Sequence, residues 1–397
     1  MNTTPSQKDY QKTVYACFMA YIVQAVVNNF VPLLFLTFES QLGVPLSRIT
    51  FLITFNFGIQ LLVDLVSPKF IDRIGYRASM LLADGFSAAG LVLLAVLPFV
   101  MADHFAGLLL AVTVYAIGGG LLEVIVSPIV EACPTDNKEA AMSMLHSFYC
   151  WGHVGVVLIS TLFFVVFGID RWRMMAVLWA LIPLANLMMF TRVPIAPLME
   201  EGEAGLTFRE LAKNGLFRTM MVMMLCAGAS EQAVSQWAST FAESGLGVSK
   251  TLGDLMGPMM FAVLMGTSRA IFGKYGDKLD LKKFMMLSTM LCILSYLLIV
   301  FVPNAAIGLL GCALTGFAVG IFWPGTFSLA AKGIRGGGTL MYALFALAGD
   351  VGCSGGPTLA GQVAAAFGND LHRGILAALV FPAVMGICLL SLRGRAK

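Results

Sequence analysis

Three carboxylic acids lie in stretches that are otherwise apolar: Glu123 in GGGLLEVIVSP, Glu231 in GASEQAVSQWAS and Asp350 in ALAGDVGCSGGP. A carboxyl group held away from water can load and release a proton near physiological pH, and the same oxygens can bind a cation. Asp350 is the sharpest case, because so short a side chain cannot snorkel to water. A structural carboxylate bonded to a neighbouring helix is the competing reading. Amides accompany the acids: Gln24 and Asn28, Asn56 and Gln60, and Gln232 and Gln236 are each four residues apart. Each pair therefore faces one way on an α-helix and offers donors and acceptors to a hydroxyl-rich solute. Asn29, one position on from Asn28, points in another direction. Trp237 and Trp323 can lay flat apolar faces on a ring-shaped solute or simply pack. His146 can bond a solute or titrate, with a packing histidine as the bland alternative. His146 and His153 share a helix face at a spacing of seven, but a metal site needs more ligands than these two, and none is expected.

Hydropathy reveals the scaffold that must hold these residues. Of 397 residues, 58% are hydrophobic and only 12% are charged, and the mean hydropathy is strongly positive. That composition excludes a soluble globular domain. Runs such as LLADGFSAAGLVLLAVLPFV reach the roughly 20 residues that carry an α-helix across a hydrocarbon core about 30 Å thick. Twelve such segments are expected, near 12–38, 47–66, 78–101, 105–131, 141–167, 172–192, 216–241, 252–272, 284–302, 306–331, 339–367 and 374–392. The fold class is an all-α integral membrane protein, without the alternating pattern of a β-barrel. Residues 1–11 are polar and the next apolar run is too long for a cleaved signal, so the first helix is expected to stay.

With a cytoplasmic N-terminus, 20 of the 25 Lys and Arg fall on one side, leaving Arg48, Arg171, Arg173, Lys250 and Arg373 on the other. This asymmetry satisfies the positive-inside rule for a cell-membrane protein with both termini in the cytoplasm. Asp64, Asp84 and Glu131 then lie near helix ends on the cytoplasmic side, where gating or interface networks are expected. A net charge of +3 is a topological signature, and nucleic acid, which needs a concentrated basic patch, is not a partner. The eight Cys have no paired spacing and read as small core residues.

The longest polar connection, RVPIAPLMEEGEAGLTFRELAKNG, divides the chain into a six-helix half at 1–192, a linker at 193–215 and a second half at 216–397. The halves echo each other. Asp72-Arg73 and Asp277-Lys278 are 205 residues apart, as are Pro98 and Pro303. Pro128 pairs with Pro324 at an offset of 196, and GHVG at 152–155 pairs with GDVG at 349–352 at 197. Two six-helix units repeated in parallel are an architecture of secondary transporters, with the solute held between them near the midplane.

The 6+6 layout and the loop Asp72-Arg73-x-Gly75-x-Arg77 resemble the major facilitator superfamily over the whole chain. VQAVVNNFVPLLF, LHSFYCWG and LFALAGDVGCSGGP are similar to its sugar and proton symporter branch, related to fucose permeases. The resemblance implies two pseudo-symmetric bundles that rock for alternating access. It implies gating contacts at Asp72, Arg73, Arg77, Asp277 and Lys278. The expected function is cation-driven symport, preferably with H⁺ and alternatively with Na⁺, of a small sugar-like solute by a monomer in the lipid bilayer. Gln24, Asn28, Asn56, Gln60, Glu123, His146, Gln232, Gln236, Trp237 and Trp323 would bind the solute, and Asp350, Glu123 and Glu231 would couple the ion. A proton-driven exporter of apolar compounds is the alternative, but such exporters carry Gly-x-x-x-Gly-Pro in the fifth helix, where this chain reads GHVGVV. An enzyme is not expected, because no serine or metal motif groups a nucleophile with a base, and no cofactor is implied.

Overall fold

A computed structural model of the chain describes residues 7–134, 138–196, 206–275, 279–302, 304–334 and 336–393. Among them the regular structure is helical throughout. The first membrane helix, α1, runs through Gln7–Asn29, a 3₁₀ turn at Val31–Leu34 and Phe35–Leu42. It is followed by α2 (Leu46–Ile74), α3 (Tyr76–Val100), α4 (His104–Ala132) and α5 (Lys138–Phe167). The sixth, α6, joins Trp172–Trp179 to Leu181–Phe190. A short linker helix, Phe208–Lys213, opens with a capping box. There, the Thr207 hydroxyl and amide hold the Glu210 carboxyl below its ordinary range.

The second half repeats the plan. Gly215–Ser235 and Ala238–Thr240 form α7, which ends in a π turn at Phe241–Gly245. In α8, Lys250–Asp254 passes through a π turn at Leu255–Met259 into Met260–Tyr275. Then come α9 (Leu281–Phe301), α10 (Ala305–Val319 and Phe322–Gly333), α11 (Gly338–Ala366) and α12 (Leu371–Ala378 and Val380–Arg393). Many of these helices start on a side chain that accepts from their first free amides: Asp103, Asn214, Ser249, Asp280, Asn304 and Asp370. The breaks in α6, α10 and α12 fall three or four residues ahead of Pro183, Pro324 and Pro382. A proline ring lacks the N–H and crowds the carbonyl four residues back. Pro98, Pro128 and Pro357 sit inside continuous helices.

Among the described residues, ten spans are long and apolar enough to cross a membrane by length and composition alone, and α7 and α11 are not among them. Those two carry Glu231, Gln232, Gln236 and Asp350. The molecule is a multi-pass membrane protein with twelve membrane helices, and large apolar side chains such as Val66, Val100, Val166 and Ile387 stay exposed on its outside.

Contacts sort the helices into two six-helix bundles with one packing plan. In the first, α1 packs on α4, α5 and α6, α2 on α4, and α3 on α4 and α6; in the second, α7 packs on α10, α11 and α12, α8 on α10, and α9 on α10 and α12. Between bundles, α2 meets α11 and α5 meets α8. The packing shifts the register of the GHVG and GDVG strings. Gly152 lies against Ile22 and Ala25 of α1, and Gly352, not Gly349, lies against Leu225 and Ala229 of α7. Asp350 and His153 are therefore not equivalent positions.

Candidate functional site

A cavity of about 50 Å³ lies between the bundles near mid-depth, lined from α1 by Tyr21, Gln24 and Asn28 and from α4 by Glu123. The second bundle contributes Glu231 and Gln232 of α7, Arg269 of α8, Trp323 of α10, and Asp350 and Cys353 of α11. Phe57, His146 and Tyr149 complete the wall. A volume of this size holds a few waters.

On the first-bundle side, Gln24 Nε2 donates to Glu123 Oε2 at 2.7 Å. Asn28 Oδ1 accepts from Gln60 Nε2 at 2.9 Å and Asn56 Nδ2 at 3.3 Å, so these α2 amides lie behind Asn28 and do not line the cavity. Asn29 turns to α5, where its amide donates to the Tyr149 hydroxyl at 3.1 Å. Tyr21 shares a 3.0 Å hydrogen bond with Ser127. The His146 ring stands edge-on to Tyr21 with centroids 5.1 Å apart, and its Nε2 is buried with no hydrogen-bond partner.

On the second-bundle side, Gln232 Nε2 donates to Glu231 Oε1 at 3.3 Å, and Gln236 Nε2 donates to Gln232 Oε1 at 2.9 Å and to the Asn28 carbonyl at 3.3 Å. Glu231 pairs with Arg269 at 3.5 Å, both deeply buried. Arg269 also donates to the His146 carbonyl at 2.8 Å, the Cys150 sulfur at 3.1 Å and the Gly320 carbonyl at 3.0 Å. Gly320 is open to this donor because the residue four positions on, Pro324, has no N–H. Trp323 lies over Gly349, where a Cβ would occupy the space of the ring.

The positions expected for the site therefore divide. Gln24, Asn28, Glu123, His146, Glu231, Gln232, Trp323 and Asp350 converge on the cavity, while Asn56, Gln60 and Gln236 support those that do. Trp237 lies outside the lining; its indole N–H donates to the Pro357 carbonyl at 3.0 Å, and its ring packs against Phe35 and Gly361. Asp64 and Asp84, expected near water at helix ends, are instead buried. Helix α2 continues to Ile74, which puts Asp64 about 15 Å from its end. Asp84 accepts from Asn186 of α6 at 3.1 Å. Glu131 is exposed. Arg77 binds the Phe190 and Val193 carbonyls that close α6 within its own bundle, and Arg73 is exposed at the end of α2. Asp277, Lys278 and the side chain of Asp72 lie outside the described residues.

Arg269, Tyr21, Phe57, Tyr149 and Cys353 were not anticipated. Arg269 stands inside the apolar run 252–272 but passes for one more basic residue on the crowded side. Also unanticipated was a second polar knot, at the end of the molecule away from the linker. There, Lys250 bridges Glu243 at 3.3 Å and Asp254 at 3.2 Å, and its ammonium donates to the Leu33 carbonyl of α1 at 2.8 Å. Asp254 accepts from Ser239, and more distantly from Thr161 of α5.

A sequence search of curated proteins returns no significant match. Among solved structures, the chain is similar to the transporter FucP in the outward conformation, with a TM-score of 0.72 and 16% identity over 98% of this chain and 100% of that one. A variant of the E. coli fucose:proton symporter FucP aligns with a TM-score of 0.70, 16% identity and the same coverage. The proton:xylose symporter XylE, bound to 6-bromo-6-deoxy-D-glucose, aligns with a TM-score of 0.80 at 13% identity over 98% of this chain and 96% of that one. At these identities the likeness is one of fold. The family model of the Major Facilitator Superfamily matches residues 14–357. That match runs from the first membrane helix well into the eleventh, and the chain belongs to the major facilitator superfamily.

Proposed function

We propose that the chain is a secondary transporter that moves a small, sugar-like polar solute by symport with a proton. The observation that carries this reading is the mid-depth cavity between the bundles, where three carboxyl groups meet amides, phenols and an indole face. Amides and hydroxyls suit a hydroxylated solute, and buried carboxyl groups suit a proton relay. Similarity in fold to a fucose:proton and a xylose:proton symporter supports the same class. Glu123 is the coupling group we favour, because its side-chain donor among the described residues, Gln24, sits on another helix and can be exchanged for solute. Asp350 and Glu231 are the further coupling candidates.

In this reading the 50 Å³ cavity belongs to a contracted state that widens as the bundles rock. The domain limits are 1–192, 193–215 and 216–397. The Lys and Arg asymmetry supports a cell-membrane location with both termini in the cytoplasm, now with Arg269 counted as a site residue instead of a topology charge. Proteoliposome uptake of a panel of monosaccharides and polyols tests the proposal. A proton gradient should drive accumulation of at least one of them, and Glu123→Gln should cut the driven uptake by about tenfold or more while gradient-free exchange persists. Driven uptake unchanged in Glu123→Gln removes the coupling assignment. Stimulation by sodium alone reassigns the ion, and extrusion of lipophilic cations without sugar uptake supports an exporter.

A further inference from the structure

Asp64 of α2 and Asp350 of α11 come from opposite bundles and meet carboxyl to carboxyl, within hydrogen-bonding reach. Both are almost wholly buried, at 3% and 1% exposure. Among the described residues, no N–H or O–H group donates to either oxygen of Asp64 or to Oδ2 of Asp350. Asp64 lies about 15 Å and Asp350 about 18 Å from the linker-side ends of their helices, so water at the membrane surface is remote.

Two carboxylates cannot bond each other, since both only accept; a carboxylic acid and a carboxylate can. Contact between these side chains therefore requires one proton between them, and without it they are two like charges in a site of low polarity. Among the described residues, the titratable groups that face the pair are Glu123 of α4 and Cys353 of α11, with Glu231 of α7 beyond them. Arg269, the basic group that lines the cavity, is engaged by Glu231.

The pair also sits at a mechanical junction. Between α2 and α11, the Thr54 and Thr358 hydroxyls bond each other and Ser354 approaches the Thr54 carbonyl, both on the side away from the linker. The facing aspartates lie nearer the linker ends of these two helices than either of those contacts. We propose that Asp64 and Asp350 share a single proton and that this proton clasps the two bundles together, as a site distinct from the Glu123–Gln24 pair. Loss of the proton sets the two carboxylates against each other and frees α2 and α11 to part at the linker end, widening the cavity. This rests on the transporter reading above but not on which solute is carried or which acid couples it.

The test needs neither solute nor gradient. Genetically encoded spin-label amino acids at Ile74 and Leu340, exposed positions at the linker ends of α2 and α11, report the separation by pulsed EPR. In the wild type the separated population should grow by about tenfold or more between about pH 5 and pH 9. Asp64→Asn and Asp350→Asn each supply an amide that donates to the remaining carboxylate with no added proton. Either variant should hold the short distance across that range, changing by less than about twofold. A wild-type distance insensitive to pH overturns the proposal. So does a wild-type pH response that persists in both variants, because another group then causes it. Closure by sodium at high pH in the wild type overturns the proton assignment and makes the pair a cation site. Gradient-driven uptake with a pH-insensitive distance sinks the clasp alone, whereas a pH-switched distance without driven uptake sinks the coupling reading alone.

Discussion

Arg269 decides whether Glu231 can stay in the cavity as a charged group. Its guanidinium meets a carboxylate, two carbonyls and a sulfur at once, a fork that lysine's single ammonium cannot copy. Arg269→Met leaves Glu231 buried without a counter-charge, and removing one partner of a buried pair costs about 3–5 kcal/mol. The melting midpoint in detergent should fall accordingly, with little recovery in Arg269→Lys. The double variant Arg269→Met/Glu231→Met should regain most of the loss, because two apolar groups replace two paired charges. A wild-type midpoint in Arg269→Met would sink this account. Glu123, Glu231 and Asp350 were legible in the sequence because an acid in an apolar run is costly without a purpose. Arg269 was not, since a basic residue near the end of a span looks the same whether it faces lipid headgroups or a cavity. Trp237 shows the converse limit: helical spacing gives its direction but not the Pro357 carbonyl that waits there.

At the scale of elements, closely spaced glycines of α11 should behave differently. A Cβ at Gly352 would run into the Leu225 carbonyl and the Ala229 amide of α7, whereas nothing approaches the corresponding point at Gly355. Gly352→Ala should destabilise by about 1–3 kcal/mol as an overpacked contact between backbones, and Gly355→Ala should stay within about 0.5 kcal/mol of the wild type. Thermal melts of the two variants check the contrast, and equal midpoints would refute it. Hydropathy made the number of membrane helices readable, even though α7 and α11 fall below a strict apolar threshold. Where α1, α7 and α8 bend was less readable. The π turns at Phe241–Gly245 and Leu255–Met259 flank the ion pairs of Lys250 with Glu243 and Asp254, which carry no signature in spacing. The GHVG and GDVG strings placed the repeat correctly but three residues out of register, because glycine matches are set by contact with α1 and α7 and letters alone do not record contact.

For the molecule as a whole, the two bundles are joined at two depths. Mid-depth contacts run through Asp64, Asp350, Arg269 and His146, and the end away from the linker is held by Lys250, Leu33, Thr54 and Thr358. Lys250→Met removes the ammonium that reaches Leu33 and leaves Asp254 with its hydroxyl donors only. Local opening should then become easier there, and amide hydrogen exchange should rise by about tenfold in the segments around Val31–Leu34 and Lys250–Met259. Exchange in α3 and α4, remote from the knot, should be unaltered; uniform exchange across both regions would show that Lys250 holds nothing shut. The backbone-to-backbone seam between α7 and α11 has a mechanical consequence. At Gly228, Gly352 and Gly356 the two backbones meet with little but the Cys353 sulfur beside them, which leaves only a thin layer to absorb a displacement. Helices α7 and α11 should therefore move as one beam, so that a displacement at Asp350 is carried to Glu231.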